Sequence, residues 1–299
     1  MKILITGSNG LLGQKLVMLL QSLPQIETIA TARGANRLKG DFKRFTYHPL
    51  DVTDGKAVEA LVAESQPDAI IHTAAMTQVD DCEHDQEGCL RLNVEATRFI
   101  TAAAAAQNAH LVHVSTDFIF DGTAGPYDED AEPNPISFYG QSKWEAEKIV
   151  MASPGSWAIA RTILVYGIAQ DMSRSNIVLW VKNSLEQGKK IRVVNDQWRT
   201  PTLAEDLAMG CYLLADKKAE GVFNIGGPDL RTPYEMALAT ARYFNLDESL
   251  IEETDGSQFT QPAPRPPRTG LIIEKAERLL GYRPHTFAEG IHVLAGQLM

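Results

Sequence analysis

Three glycines, Gly7, Gly10 and Gly13, follow directly on the apolar run Ile3, Leu4, Ile5 in the opening MKILITGSNGLLGQKL. An apolar run bounded by turn residues reads as a buried strand, and the segment from Leu11 to Leu20, apolar at Leu12, Leu16, Leu19 and Leu20, reads as a helix. Strand, glycine turn, helix is how a nucleotide-binding βαβ unit begins. Glycine removes the Cβ where backbone must bend tightly and approach a pyrophosphate, and the helix start offers free N–H groups and a partial positive charge. The spacing is G-x-x-G-x-x-G rather than the G-x-G-x-x-G of ordinary dehydrogenases. Turns after strands also use glycine merely to reach positive φ, so the triplet needs company.

That company comes from the alternation that follows. IETIATA, RFTYH, DAIIHTAA and HLVHVST read as further strands, with helices from about Lys56 to Glu64 and from Leu90 to Gln107 between them. The five alanines Ala102 to Ala106 fit a helix with a smooth face packed close to a sheet. Alternation of this kind predicts an α/β fold, a Rossmann-type doubly wound parallel sheet with right-handed crossovers. In the second half SNIVLWVKNSLEQG, LAEDLAMGCYLLAD and IIEKAERLLGY read as helices, and IRVVND and GVFNIGG as strands. With 299 residues, 44% of them hydrophobic, the chain has material for a large core in one or two units.

A net charge of −10 without a Lys/Arg block argues against nucleic acid or an anionic membrane as partner. No stretch approaches the length of a membrane span and the first residues form a strand, so a cytoplasmic protein is expected. Cys82, Cys89 and Cys211 are an odd count in a chain that needs no staples, and reduced thiols are expected. DDCEHDQEGC gathers Cys82, His84 and Cys89 among acids, but at no familiar zinc spacing. It reads as a solvated helix start with acids in its first turn, and no metal is expected.

Where NAD-binding units place an acid for the ribose hydroxyls, the sequence is TIATARGANR, with Arg33 and no carboxylate. A guanidinium there favours the 2′-phosphate of NADPH, with NADH still possible. Asp51 and Val52 follow the third strand, where they can frame an adenine. In YGQSKWEAEK, Tyr139 and Lys143 are four apart and share a helix face. A free phenol is a slow acid–base group at neutral pH, and a nearby ammonium makes its proton easier to exchange. Ser115 and Thr116 stand at the end of the fifth strand, where ligands of doubly wound sheets bind. A hydroxyl at that edge can hydrogen-bond a substrate carbonyl.

Together with STDFIFDG, PYDEDAEPNPISFYGQSKWEAE, RTILVYG, DQWRTPT and RPPRTGLIIEKAERLLG, these features resemble the extended short-chain dehydrogenase/reductase family, and within it the dTDP-4-dehydrorhamnose reductase group. The resemblance implies that Thr116, Tyr139 and Lys143 are the catalytic set. It implies that Gly7, Gly10, Leu11, Leu12 and Gly13, with Arg33, Asp51, Val52, Ala74, Ala75, Tyr139 and Lys143, hold the cofactor, and that Thr116, Asp117, Leu164, Gln197, Arg199 and Arg265 face the substrate. A smaller, discontinuous α/β substrate domain is also implied: 1–165 with about 198–230 would bind NADP, and about 166–197 with 231–299 the substrate. Two positions depart from the group. Leu164 replaces a tryptophan, and Arg199 stands where a small residue is usual, which bears on the sugar or base rather than the chemistry. APRPPR suggests a rigid loop whose Arg265 and Arg268 can clamp a diphosphate.

The activity implied is NADPH-dependent reduction of a nucleotide-linked 4-keto-6-deoxy sugar, such as dTDP-4-dehydrorhamnose to dTDP-rhamnose. Two alternatives stand beside it. One is another nucleotide-sugar reductase, an epimerase or a dehydratase on the same scaffold, although Phe118 occupies the place of a dehydratase's second acid. The other is a non-catalytic regulatory subunit like the partner of methionine adenosyltransferase, which belongs to the same family. Some bacterial members dimerise through a metal held by a glutamate on the first helix. Lys15 stands at the matching position, so a monomer or weak homodimer without a bridging metal is expected.

Overall fold

The computed structural model describes residues 1–171, 175–259 and 261–298. In chain order its strands are β1 (Lys2–Thr6), β2 (Glu27–Ala32), β3 (Phe45–Pro49), β4 (Ala69–His72), β5 (His110–Thr116) and β6 (Trp157–Thr162). Then come β7 (Val165–Tyr166), β8 (Ile191–Val194), β9 (Thr202–Leu203), β10 (Gly221–Asn224) and β11 (Ile251–Thr254). The helices are α1 (Leu11–Gln21), α2 (Gly55–Ser65), α3 (Val79–His84), α4 (Gln86–Leu90), α5 (Ala96–Ala106) and α6 (Phe138–Met151). They continue with α7 (Ile177–Glu186), α8 (Ala204–Asp216), α9 (Pro233–Tyr243), α10 (Glu274–Leu280) and α11 (Phe287–Gly296).

Seven parallel strands form the main sheet in the order β10-β6-β5-β4-β1-β2-β3, and two small sheets pair β11 with β8 and β7 with β9. This is the doubly wound α/β architecture that the alternation predicts. Strand order reverses between β1 and β4, which pair with Thr6 opposite His72, so a crevice opens at their C-terminal ends. One face buries Ile3, Ile5, Leu16, Leu20 and Val112 together with Leu207 and Leu214 of α8. The other buries Leu4, Ile70, Leu111, Val58 and Ile100 under α2 and α5. Side chains of a strand alternate between faces, and helices cover both, so the strands read as continuous apolar runs.

Away from the sheet, α7, α9 and α11 pack around Val178, Met236, Phe287 and Val181 with the small β8–β11 sheet. Thr232 and Thr286 each start a helix with a reciprocal capping box, to Glu235 and Glu289. The expectation that 231–299 belongs wholly to this second layer is corrected at one place. Ile273, Ala276, Leu280 and Tyr282 lie in the same core as Ile3 and Leu16, so α10 returns to the main sheet. The reason is its apolar stripe, Ile273, Ala276 and Leu280, which is buried against α8 and β10.

Candidate active site

The glycine turn wraps the end of β1. Gly7 has φ of +72°, a left-handed conformation, and a Cβ there would lie 2.9 Å from the Ala74 nitrogen at the end of β4. A Cβ on Gly13 would meet the Gly7 carbonyl oxygen at 2.3 Å, so α1 can start this close to the turn only without a side chain there. Gly10 caps α1 with no side-chain hydrogen bond, and the first turn carries no acid. Ser8 is fully buried and, among the described residues, its hydroxyl has no partner. The result is a helix start whose N–H groups and buried hydroxyl are left for an anion, which is what a pyrophosphate requires.

The segment after β2 folds over this turn. Asn9 donates to the Ala35 carbonyl at 3.0 Å and accepts the Arg37 N–H at 3.0 Å, while buried Gln14 ties α1 to Gln170. Arg33 is exposed at the end of β2, and its charge helps hold the Asp51 carboxyl below its usual range, after the Thr53 backbone N–H, which is the main cause. Val52 is buried beside it, and Ala74 and Ala75 line the opposite wall of the crevice, half-buried. Leu11 and Leu12 are half-buried on the first turn of α1. Arg37, which sequence reasoning passed over, is a second guanidinium in this region.

Tyr139 and Lys143 lie on α6, which starts at the Ser137 cap. A Cβ on Gly140 would be 2.1 Å from the Phe118 carbonyl oxygen, so glycine lets α6 press against the turn that follows β5. That contact brings Tyr139 against Thr116, whose hydroxyl donates to Asp117 at 3.1 Å and accepts from the Phe118 N–H at 3.2 Å. Burial pushes the Tyr139 phenol well up from its ordinary value, and the neighbouring Thr116 hydroxyl works against that. At neutral pH the phenol therefore stays protonated, ready to give a proton away. Burial also lowers Lys143 to about 8, with Glu147 opposing. The lysine amine rests on the Val114 carbonyl at 2.8 Å and on Nε2 of His113 at 3.3 Å.

Beneath Tyr139, Asn93 bonds both backbone groups of Met76 and donates to the Ser142 hydroxyl at 3.0 Å, and Ser142 donates to the Tyr139 carbonyl. Asn93 sits in a π-helical turn, Arg91–Glu95, that joins α4 to α5. Such bulges aim side chains inward at functional sites. Its place between Leu92 and Val94 in the turn RLNVE is the one local sign of it. The expected solvated start at DDCEHDQEGC is corrected here: Cys82 and Cys89 are fully buried and pack on Tyr139. They fill the space under α6, while Asp81, His84, Asp85 and Glu87 are exposed and Glu83 turns in to accept the Phe138 N–H. The expected helix from Leu90 likewise starts earlier, as α4 and the π turn.

The residues assigned to the substrate do different jobs. Asp117 is buried, accepts the Thr269 hydroxyl as well as that of Thr116, and has its carboxyl raised by burial against the pull of Arg199. Leu164 is 38% exposed with φ of +38°, just past the C-terminal end of β6. Arg199 is only 5% exposed, and its guanidinium donates to the Trp198, Pro266 and Pro267 carbonyls and to half-buried Gln197. It is a tie between two loops rather than a free cation. Arg265 grips Asp80 with two hydrogen bonds of 2.7 Å, so a diphosphate would have to displace a carboxylate. Arg268 is exposed and lies over the Trp198 ring, 5.8 Å from its centre.

A family model, the RmlD substrate binding domain, matches residues 1–298. Among curated proteins the chain is 32% identical over 283 residues to methionine adenosyltransferase 2 subunit beta of Bos taurus, covering 93% of this chain and 82% of that protein. It is 31% identical over 292 residues to the probable low-salt glycan biosynthesis reductase Agl14 of Haloferax volcanii, covering 97% and 96%. Among solved structures it is similar to a dTDP-4-dehydrorhamnose reductase from Clostridium acetobutylicum, with a TM-score of 0.88, 30% identity and coverage of 100% and 99%. A dTDP-4-dehydrorhamnose reductase from Bacillus anthracis in complex with NADP superposes with a TM-score of 0.85 at 26% identity, covering 99% of each chain.

Proposed function

The chain belongs to the RmlD substrate binding domain family, and from that premise we propose that it is an NADPH-dependent reductase of a nucleotide-linked 4-keto-6-deoxy sugar, dTDP-4-dehydrorhamnose being the first candidate. The observation that carries the reading is the meeting of Thr116, Tyr139 and Lys143 at the end of β5 and the start of α6, beside the glycine cradle. The cradle at Gly7 and Gly13, the orphaned Ser8 hydroxyl and the uncapped α1 fit the pyrophosphate of a dinucleotide. Arg33, with Arg37 nearby, supports a 2′-phosphate. A bound nicotinamide would supply the hydride for the keto carbon. Tyr139, kept protonated by its burial, gives its proton to the sugar oxygen, which becomes the hydroxyl of the product. Thr116 turns its hydroxyl from Asp117 toward that oxygen and polarises it. Lys143 holds the ribose hydroxyls and favours the phenolate that Tyr139 becomes.

The test is NADPH oxidation by the purified protein against a panel of 4-keto nucleotide sugars. Turnover of one of them supports the reading, and none at all removes it. A second reading, a regulatory subunit, is favoured by one observation: the 32% identity to methionine adenosyltransferase 2 subunit beta. It predicts no sugar turnover and a stable complex with a methionine adenosyltransferase catalytic subunit in gel filtration.

A further inference from the structure

We propose that His113 is a positioning residue for Lys143: its neutral imidazole accepts an ammonium N–H at Nε2 and so keeps the lysine charged and fixed beside Tyr139. The proposal deepens the reductase reading, since it assigns what sets the state of that reading's lysine. Lys143 is 3% exposed, and among the described residues its amine has no carboxylate in ion-pair contact. Its supports are the Val114 carbonyl and the His113 ring. The titratable groups facing it are His113 on β5, His72 on β4, Tyr139 and Glu147 on α6, Cys82 on α3 and Cys89 on α4. Glu147 is paired with Arg161 at 2.8 Å and reaches the lysine through its charge rather than by a contact.

The tautomer follows from the contact. To accept from Lys143, Nε2 must carry the lone pair, which puts the ring proton on Nδ1. Among the described residues Nδ1 is buried without a partner. A buried N–H left unpaired is unfavourable, and an apolar side chain of similar size would avoid it. The ring is therefore retained for what its other nitrogen does. His72 completes the arrangement. Its ring lies 5.4 Å from that of His113, it bonds the Thr6 hydroxyl at 2.7 Å, and burial holds it neutral, near 3. A charge on either imidazole would repel Lys143. Burial keeps His113 well below its ordinary value too, so both rings stay neutral over the working range of pH.

The experiment compares wild type, His113→Leu and His113→Gln. It reads two things that need no sugar: the titration midpoint of Lys143 by NMR of lysine-labelled, cofactor-free protein, and NADPH binding by fluorescence at pH 6.5 and 8.5. Loss of a hydrogen bond to a charged group should move the Lys143 midpoint down by about one pH unit in His113→Leu. NADPH affinity should then fall about tenfold more at the higher pH than at the lower, and His113→Gln, whose side-chain oxygen can accept, should recover most of both. A His113→Leu protein whose Lys143 midpoint stays with the wild type overturns the proposal. If His113→Leu does not fold, His113→Phe, a ring with no acceptor, takes its place, and a Lys143 midpoint that stays with the wild type in that protein overturns the proposal equally. Because neither readout depends on turnover, an inactive wild type would sink the reductase reading while leaving this result standing.

Discussion

Tyr139 carries its hydroxyl against Thr116 with its ring held edge-on to Phe118 at 5.7 Å, so removing the oxygen alone disturbs little packing. Tyr139→Phe is expected to fold and bind NADPH as before while sugar reduction falls by about 10² to 10⁴, the usual worth of positioned acid catalysis, measured by single-turnover NADPH oxidation. Arg33 stands exposed beside Asp51, where a phosphate can reach it. Arg33→Ala should cost NADPH about 1 to 3 kcal/mol of binding and NADH almost nothing, by parallel fluorescence titrations. Equal losses would place the 2′-phosphate elsewhere. Tyr139 and Lys143 were legible because a spacing of four is a helix face whatever the rest of the chain does. Asn93 and His113 were not. What they do depends on contacts with Ser142, 49 residues away, and Lys143, 30 residues away, which no local pattern encodes. The ties that hold Arg199 and Arg265 were hidden for the same reason, since the Pro266 and Pro267 carbonyls lie 67 and 68 residues from Arg199 and the Asp80 carboxylate 185 residues from Arg265.

Among the elements, α1 is the one whose start the sequence displayed most openly, since glycine spacing and apolar period both belong to it. Its geometry makes a sharp demand. Gly13→Ala pushes a methyl group into the Gly7 carbonyl, backbone that cannot rotate away. The expected result is a loss of about 1 to 3 kcal/mol in stability and weaker NADPH binding, read from thermal melts with and without cofactor. The same change at Gly10, where the nearest atom is 3.3 Å from the added carbon, should be milder. The six strands from β1 to β5 and β10 were legible from apolar or β-forming runs, whereas β6, WAIART, ends in polar residues, of which Arg161 pairs with Glu147 of α6. The π turn before α5 leaves no trace in hydrophobic period, because one extra residue in a turn shifts the pattern by less than the variation among ordinary helices.

At the scale of the whole molecule, Lys15 is turned inward, 6% exposed, paired with Glu205 at 2.8 Å and bonded to Gln297 at 2.7 Å. An ammonium spent on α8 and α11 offers nothing to a bridging metal. Sedimentation velocity with and without EDTA is expected to give the same profile, and a shift to smaller species on chelation would contradict it. The doubly wound sheet was legible from alternation alone. The resemblance implied that the segment holding α8 rejoins it, but not that α10 does, because α10 looks like any amphipathic helix until the face it covers is known. That return of α10 shapes how the chain reaches its native state. The exposed side of α8 and β10 stays uncovered until Ala276, Leu280 and Tyr282 come home, after α9 and β11 of the small β8–β11 sheet have intervened in the chain. Contacts so distant form late, and a half-built sheet with one greasy face exposed is prone to self-association. Recovery from urea should therefore drop as protein concentration rises, and Leu280→Ala should steepen that drop, followed by light scattering during dilution; a yield independent of concentration in both proteins would mean that the face is covered earlier than the topology suggests.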